Sequence, residues 1–203
     1  MTTTPTIAPF EFATAARTLF GVGTSKKVPA LVKELTTLEG CAGQPVMIVA
    51  GASDRFSKPL VEALAADGIE SVVYHCPGGE PTTGTAEAAI ALASSNKCGA
   101  VIAIGGGTPV DTGKCVAAVL TNGGDEPDLY DFLEVVGRAQ PLTKRCAPFI
   151  AVPTTAGPGA EVTKNSVLEA GDRKVSMRHP YMLPDVSVID PELTLSMPKD
   201  VTA

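Results

Sequence analysis

The sequence predicts an α/β protein built on a doubly wound parallel sheet, with helices on both faces and an added β-hairpin. From Pro45 to Pro153, short apolar runs ending in glycine or proline alternate with longer segments of helical periodicity. Strands that alternate with helices of this length pair in parallel through right-handed crossovers. Their continuous apolar character is typical of strands buried on both faces. After Pro153 the alternation stops, and a turn between two β-like segments indicates the hairpin.

The first part of the chain contains four predicted strands and three predicted helices. The strands are the apolar runs 45–51, 69–75, 100–104 and 148–153, and the helices are 57–68, 85–95 and 108–122. Ser57 is predicted to cap the first helix and Pro59 to lie in its first turn, because both residue types favour helix starts. Gly68 and the Asn122–Gly123–Gly124 run are typical of helix ends.

The remaining segments are shorter and more polar. Residues 128–135 are predicted to form a charged loop or a short helix, and 185–190 one more strand. Segments 160–169 and 173–179 flank an Ala–Gly–Asp turn and predict the hairpin. Residues 191–203 read as a linker that enters a helix. No linker divides the chain, so residues 1–203 are expected to form one domain.

Composition excludes several classes of protein. The 203 residues are 44% hydrophobic and 19% charged, which is ordinary for a soluble globular protein. A net charge of −6, no basic stripe and no tryptophan argue against a nucleic-acid partner. No apolar run approaches the roughly 20 residues of a membrane helix, and the N-terminus lacks the features of a signal peptide. We therefore expect a cytoplasmic protein with no membrane partner.

The five cysteines are dispersed singly along the chain. An odd set without a CxxC pair is typical of buried thiols in a reducing compartment rather than of a disulfide framework. A redox-sensing cysteine is the alternative interpretation.

The stretch "VIAIGGGTPVDTGKCVAAVL", Val101 to Leu120, contains the clearest candidate site. Its glycines, Gly105, Gly106 and Gly107, let a diphosphate approach the backbone without meeting a Cβ atom. Thr108 is expected to cap the following helix, whose dipole places partial positive charge at the same point. Such a helix start is a phosphate site at the carboxyl edge of a parallel sheet. A tight strand–helix turn without a ligand is equally consistent with these glycines alone.

The glycine turn follows neither common nucleotide-binding fingerprint. It contains no G-x-G-x-x-G, and Lys114 is not placed as a Walker loop requires. The fold is therefore expected to be Rossmann-like without that motif. Gly21–Val22–Gly23 is set aside, because no third glycine follows it and no βαβ unit is expected to begin there.

Several blocks resemble the iron-containing (group III) alcohol dehydrogenase family. "GGGTPVDTGK" is similar to the family motif GGGS-x-x-D-x-x-K, and "PTTAGPGAEVTKNSVL", 153–168, to its PTTAGTGSEVT block. "FGVGTSKKV", "GGEPTTG" and "LPDVSVIDPELTLSMP" match other landmarks of the family in the same order. The resemblance extends from Phe20 almost to the end of the sequence, and it implies that residues 1–203 are a dinucleotide-binding domain.

The resemblance also implies which residues bind NAD or NADP. They are Gly51, Ser53, Gly105, Gly106, Gly107, Thr108, Asp111, Thr154, Thr155, Thr163, Val167 and Lys174. The glycines would hold the pyrophosphate, Asp111 would lie near the nicotinamide, and Lys174 would reach ribose hydroxyls. Simpler roles remain open: Thr154 and Thr155 as partners of the backbone, Lys174 as a solvated side chain, and Asp111 as an acid favoured by the helix dipole.

Two residues depart from the family pattern. Pro158 replaces a threonine that hydrogen-bonds the cofactor in the family, so that contact is lost. Gly51 stands where many NAD-preferring members have an aspartate for the adenosine ribose. Without that acid its repulsion of a 2′-phosphate is removed, and Ser53 or Arg55 is available to receive the phosphate. The resemblance thus implies that NADPH binds at least as well as NADH.

The family's metal ligands, an aspartate and three histidines, match no position of this sequence. The resemblance places them in a helical half that would follow residue 203, and the helical metal-binding domain is thus absent from this chain. The two histidines present, His75 and His179, are not at ligand positions. The family implies Fe or Zn, but no residue of this chain is predicted to bind a metal, and none is assigned a catalytic role.

The leading functional hypothesis is the cofactor-binding half of an NAD(P)-dependent oxidoreductase that interconverts alcohols and aldehydes or ketones. This half is expected to be inactive alone, and the unpaired face left by the missing half favours self-association into a homo-oligomer. One alternative is a maleylacetate reductase-like enzyme. The other is a stand-alone nucleotide-binding or regulatory protein without catalysis.

Overall fold

The computed structural model describes residues 9–198. Its strands are β1 (Arg17–Phe20), β2 (Val46–Ala50), β3 (Ser71–His75), β4 (Ala100–Gly105), β5 (Phe149–Pro153), β6 (Asn165–Ala170), β7 (Arg173–Arg178) and β8 (Val186–Ile189). Its α-helices are α1 (Val28–Leu38), α2 (Ser57–Ala66), α3 (Thr83–Ser95) and α4 (Gly107–Asn122). No helix in this part of the chain is both long and apolar enough to cross a membrane.

Six strands form one parallel sheet in the order β1-β8-β5-β4-β2-β3, and β6 and β7 form a separate antiparallel hairpin. The direction of winding reverses between β2 and β4. From β2 the chain passes through α2 to β3 on one side, and from β4 it passes through α4 to β5 on the other. A reversal of this kind opens a crevice beyond the carboxyl ends of the two strands.

Two hydrophobic layers cover the sheet because successive side chains of each strand point to opposite faces. Helices α1 and α2 pack on the face that carries Ile48, Ile102 and Val152. Helices α3 and α4 pack on the face that carries Met47 and Val101. The central strands are buried on both sides, as their apolar sequences predict. The predicted doubly wound sheet and the hairpin are confirmed.

The structure corrects three details of the predicted helix starts. Phe56, not Ser57, occupies the N-cap of α2, and no side chain caps this helix. Helix α3 begins at Thr83, two residues before the predicted start, because the hydroxyl of Thr82 accepts a hydrogen bond from the Thr85 N–H. Thr108 does not cap α4. Its N-cap is Gly106, and the helix begins at Gly107.

The first strand and helix were not predicted from the sequence. Strand β1 pairs in parallel with β8, and Gly21–Val22–Gly23 follows it directly and leads through a short 3-10 turn into α1. The expectation that no β-α-β unit begins at these glycines is wrong, since β2 of the same sheet follows α1.

Two segments near the hairpin and the end of the chain also differ from the predictions. Strand β6 begins only at Asn165, because residues 160–162 form a 3-10 turn. In the predicted linker, residues 191–194 form another 3-10 turn, and residues 199–203 lie outside the described part of the chain.

Candidate functional site

The glycine turn joins β4 to α4 at the edge of the crevice. Gly105 has φ +150°, a conformation that side chains rarely adopt, and a Cβ atom there would lie 2.7 Å from Cγ of Pro109. At Gly107 the situation is the opposite, because a Cβ atom would have nothing within 4 Å. The backbone therefore requires glycine at position 105, whereas the absence of a side chain at position 107 leaves free space beside the helix start.

The N-terminus of α4 has the features of an anion-binding helix start. The first N–H groups of a helix have no partner within it, and the helix dipole adds partial positive charge there. No side chain caps this helix. The Thr108 hydroxyl instead donates to the Gly79 carbonyl at 2.7 Å and so links α4 to the loop after β3. These features suit a phosphate group.

The end of β2 lies against the glycine turn. The Gly51 N–H donates to the Ile104 carbonyl at 3.3 Å, and no atom lies within 4 Å of where its Cβ would be. A ring nitrogen of His75, Nδ1, is 2.7 Å from the Gly51 carbonyl. Ser53 is exposed in the next loop, where its Oγ accepts from the N–H of Arg55. No acidic side chain is present at position 51, where the strand ends.

Thr154 and Thr155 follow β5 and contact the glycine turn from its other side. The Thr154 N–H donates to the Gly105 carbonyl at 2.9 Å, and Thr154 itself is buried. A Cβ atom at Gly106 would lie 3.4 Å from Cγ2 of Thr155. The two threonines thus form a wall of the crevice. Pro158, in the loop that follows, is exposed.

Asp111 lies one turn into α4 and faces the hairpin. Its Oδ2 accepts a hydrogen bond from the Val167 N–H at 3.2 Å, and its Oδ1 is 3.7 Å from Nζ of Lys114. Lys114 also bonds to Thr163 Oγ1 at 2.9 Å. Burial raises the pKa of Asp111, an effect that the nearby ammonium and the Val167 N–H oppose.

The structure brings ten of the twelve predicted residues into two adjoining groups. Gly51, the three glycines, Thr108, Thr154 and Thr155 surround the start of α4, and Asp111, Thr163 and Val167 meet between α4 and the hairpin. Ser53 and Lys174 are outside both groups. Lys174 is exposed and pairs with Glu80 of the loop after β3 at 3.0 Å. Its side chain thus lies at the rim of the crevice, beside the loop after β3 that Thr108 contacts.

An apolar cleft with a volume of about 160 Å³ opens at the same edge of the sheet, on the face covered by α1 and α2. Its lining includes Phe56, Leu60, Ile104, Val152 and Leu193, with Arg55 among the residues at the same cleft. The guanidinium of Arg55 lies 5.4 Å from the centre of the Phe56 ring. Lys26 lines the cleft as well, and the mostly apolar walls suit a planar aromatic group.

Residues 9–198 contain no group of three or more His, Cys, Asp or Glu side chains that could hold a metal ion. His75 contacts the Gly51 carbonyl, and His179 Nδ1 accepts from the Tyr181 N–H, so the two histidines serve separate local contacts. The Fe or Zn site of the resembled family therefore does not fit the side chains of this part of the chain.

Sequence reasoning missed Lys114 and the Gly78–Gly79 loop. As part of the motif GGGS-x-x-D-x-x-K, Lys114 carries no predicted role, yet its side chain is fully buried. A charged residue between Gly113 and Cys115 on an otherwise apolar helix face was the signal available. Gly79 lies in the "GGEPTTG" stretch that carried part of the resemblance, and only the structure shows its carbonyl bound to Thr108.

Comparison with known proteins agrees with this geometry. A sequence model of the family described as iron-containing alcohol dehydrogenase matches residues 15–191. Long-chain-alcohol dehydrogenase 1 of Geobacillus thermodenitrificans is 36% identical over 159 residues, which are 78% of this chain and 38% of that protein.

Solved structures give the same result. The archaeal halo-thermophilic alcohol dehydrogenase ADH/D1 from a Red Sea brine pool matches with a TM-score of 0.83 and 25% identity, over 96% of this chain and 49% of that one. NADH-dependent butanol dehydrogenase A of Thermotoga maritima matches with a TM-score of 0.79 and 26% identity, over 96% and 47%. The chain spans less than half the length of each of these proteins. Since the family match covers most of its residues, the chain belongs to the iron-containing alcohol dehydrogenase family.

Proposed function

We propose that this chain binds NAD or NADP, with the cofactor's diphosphate at the N-terminus of α4. The observation that carries the proposal is the open space beside Gly107, where a helix start without a side-chain cap meets the crevice at the point of winding reversal. Backbone N–H groups and the helix dipole stabilise the diphosphate charge there. A diphosphate oxygen can approach these N–H groups closely because no Cβ atom intervenes.

The adenosine half of the cofactor extends from the diphosphate toward the end of β2. The ribose lies against Gly51, and the adenine enters the apolar cleft beside Ile104 and Val152. No carboxylate at position 51 repels a 2′-phosphate, and Ser53 and Arg55 are near the strand end to receive one. NADPH accordingly binds at least as well as NADH.

The nicotinamide half extends along α4 toward the hairpin. Asp111, Thr163 and Val167 border this side of the crevice, and Thr154 and Thr155 close its wall. Lys174, at the rim beside Glu80, is placed to exchange its ion pair for a ribose hydroxyl. The solved relative that uses NADH supports a nicotinamide cofactor for this chain.

The reaction that we propose is the interconversion of alcohols with aldehydes or ketones, in which a nicotinamide cofactor accepts or donates the hydride. The residues described here bind and orient that cofactor. They offer no ligand set for the metal of the family, so we propose that this chain alone does not turn over alcohols efficiently.

Fluorescence titration of the 203-residue chain with NADH and with NADPH tests the proposal. We expect both to bind, with NADPH at least as tight. An affinity for NADH about tenfold higher or more would refute the assignment at position 51. Alcohol oxidation is then assayed with added Fe²⁺ or Zn²⁺. Binding without metal-dependent turnover agrees with the proposal, and efficient turnover would contradict its last part.

A further inference from the structure

Lys114 is a fully buried lysine in the middle of α4, with no exposed side-chain surface. Its Nζ atom lies 2.6 Å from the Ala160 carbonyl, 2.9 Å from Thr163 Oγ1 and 2.8 Å from the Asn165 carbonyl. An ammonium group has three N–H donors, and each of them has an acceptor here. Burying such a group is costly unless its donors are satisfied, so this arrangement holds only while all three acceptors stay in place.

All three acceptors belong to residues 160–165, which we call the clamp segment. This segment connects the threonine wall after β5 to strand β6, and its first residues form a 3-10 turn instead of regular sheet. Two of its acceptors are backbone carbonyl groups, those of Ala160 and Asn165. All three of these hydrogen bonds to α4 come from one side chain.

Neighbouring side chains of α4 extend this attachment along the hairpin. Asp111 accepts from the Val167 N–H, and Cys115 Sγ lies 3.1 Å from Ser166 Oγ. Burial lowers the pKa of Lys114, and the carboxylate of Asp111 opposes that change. Helix α4 thus carries the glycine turn at its start and holds the hairpin one to two turns later.

We propose that Lys114 is a positioning residue for cofactor binding, which holds the clamp segment on α4 so that Thr163 and Val167 stay in place against this helix. The inference rests on the proposed function, because it explains how the residues around the start of α4 and those between α4 and the hairpin keep a fixed distance from each other. Lys114 itself has no exposed atom with which to touch a cofactor. Its effect on binding passes through the residues that it holds.

Replacement of Lys114 by methionine tests this inference. Methionine has similar length and no donor, so in Lys114→Met the Asn165 carbonyl and Thr163 Oγ1 lose the ammonium group, and the Ala160 carbonyl keeps only its local hydrogen bonds from Thr163. Hydrogen exchange without cofactor is the first measurement. We expect the amides of residues 160–167 to exchange at least about tenfold faster, while those of β2 and β4 stay close to the unmodified chain. Unchanged exchange rates in residues 160–167 would overturn the inference that Lys114 holds the clamp segment on α4.

NADH affinity is the second measurement, and Val119→Ala is the matched control. Val119 is buried on the same helix, and truncating it lowers stability without touching the clamp segment. We expect Lys114→Met to weaken NADH binding about tenfold or more and Val119→Ala to leave it within about twofold. Equal losses of NADH affinity in the two variants would show that Lys114 contributes only to general stability, and they would overturn the proposal.

A double-mutant cycle separates positioning from direct contact by Thr163. Thr163→Val removes one acceptor of Lys114, so we expect faster exchange and weaker NADH binding in the unmodified chain but little further effect in Lys114→Met. An additive effect would show that Thr163 acts independently of the lysine and would refute the coupling. If Lys114→Met does not fold, hydrogen exchange in the Thr163→Val variant is the deciding measurement. Unchanged exchange rates in the clamp segment of that variant would refute the inference. If the unmodified chain binds no NADH, the proposed function fails, but the exchange result still tests the clamp.

Discussion

Substitution of Gly107 by alanine separates two reasons for glycine in the turn, which are a backbone conformation that side chains disfavour and free space for a ligand. Gly107 is the first residue of α4, its φ is not in the left-handed region, and an added Cβ atom would meet nothing within 4 Å. Folding therefore tolerates the methyl group. Alanine has the higher helix propensity, which predicts a gain on the order of 0.5 kcal/mol in the free energy of unfolding.

Cofactor binding should respond in the opposite direction. The methyl group of Gly107→Ala occupies the space through which a diphosphate oxygen reaches the N–H groups of α4. Loss of one charge-assisted hydrogen bond costs about 1.5–3 kcal/mol, so NADH affinity should fall roughly 10- to 100-fold. The assay is fluorescence titration with NADH, with thermal unfolding of the same sample as the measure of stability.

Gly84→Ala is the matched control. Gly84 is in the first turn of α3, and its added Cβ atom would lie 3.9 Å from Thr82 Oγ1, an ordinary contact. It should gain similar stability with unchanged NADH affinity. Gly105→Ala gives the contrast, because φ +150° and the 2.7 Å approach to Pro109 predict a loss of about 2–4 kcal/mol in folding itself. Wild-type NADH affinity in Gly107→Ala would refute the diphosphate site.

Three further outcomes follow from the structure. Asp190→Ala removes the acceptor of the Gly23 and Ser25 N–H groups and should cost about 2–3 kcal/mol in urea unfolding. Burial acts to raise the pKa of Asp190, but hydrogen bonds from Ser25 and Gly23 hold this pKa below its ordinary value. The carboxylate therefore stabilises the fold fully at pH values above the ordinary aspartate pKa, and this stability is lost as the pH falls through the lowered pKa. An equal acid sensitivity in the variant would contradict this. Val135 has φ +69° and an exposed side chain, so Val135→Asn should raise the free energy of unfolding by about 1 kcal/mol. Thermal unfolding measures this gain, and an unchanged melting temperature would contradict it. Gly51→Asp should lower the affinity for NADPH relative to NADH at least about tenfold by repulsion of the 2′-phosphate, and an unchanged ratio would place the ribose elsewhere.

The central strands and helices could be predicted because their signals are local. Strands β2, β4 and β5 are buried on both faces, so each is a continuous apolar run, and helices α2 and α4 end near glycines that permit the turn. Strand β1 gives no such signal. It has four residues, most of them exposed, and its parallel partner β8 lies far along the chain.

Local sequence patterns specify the alternation of strands and helices that produces the parallel sheet, and they mark the run of glycines between β4 and α4. Tertiary packing makes β2 and β4 neighbours and so places Gly51 beside the glycine turn. The same packing buries Lys114 under the clamp segment. Local patterns do not reveal these contacts, because they join residues about fifty positions apart. Two of the three acceptors that stabilise the buried lysine are also backbone carbonyls, which every residue carries and no sequence pattern marks.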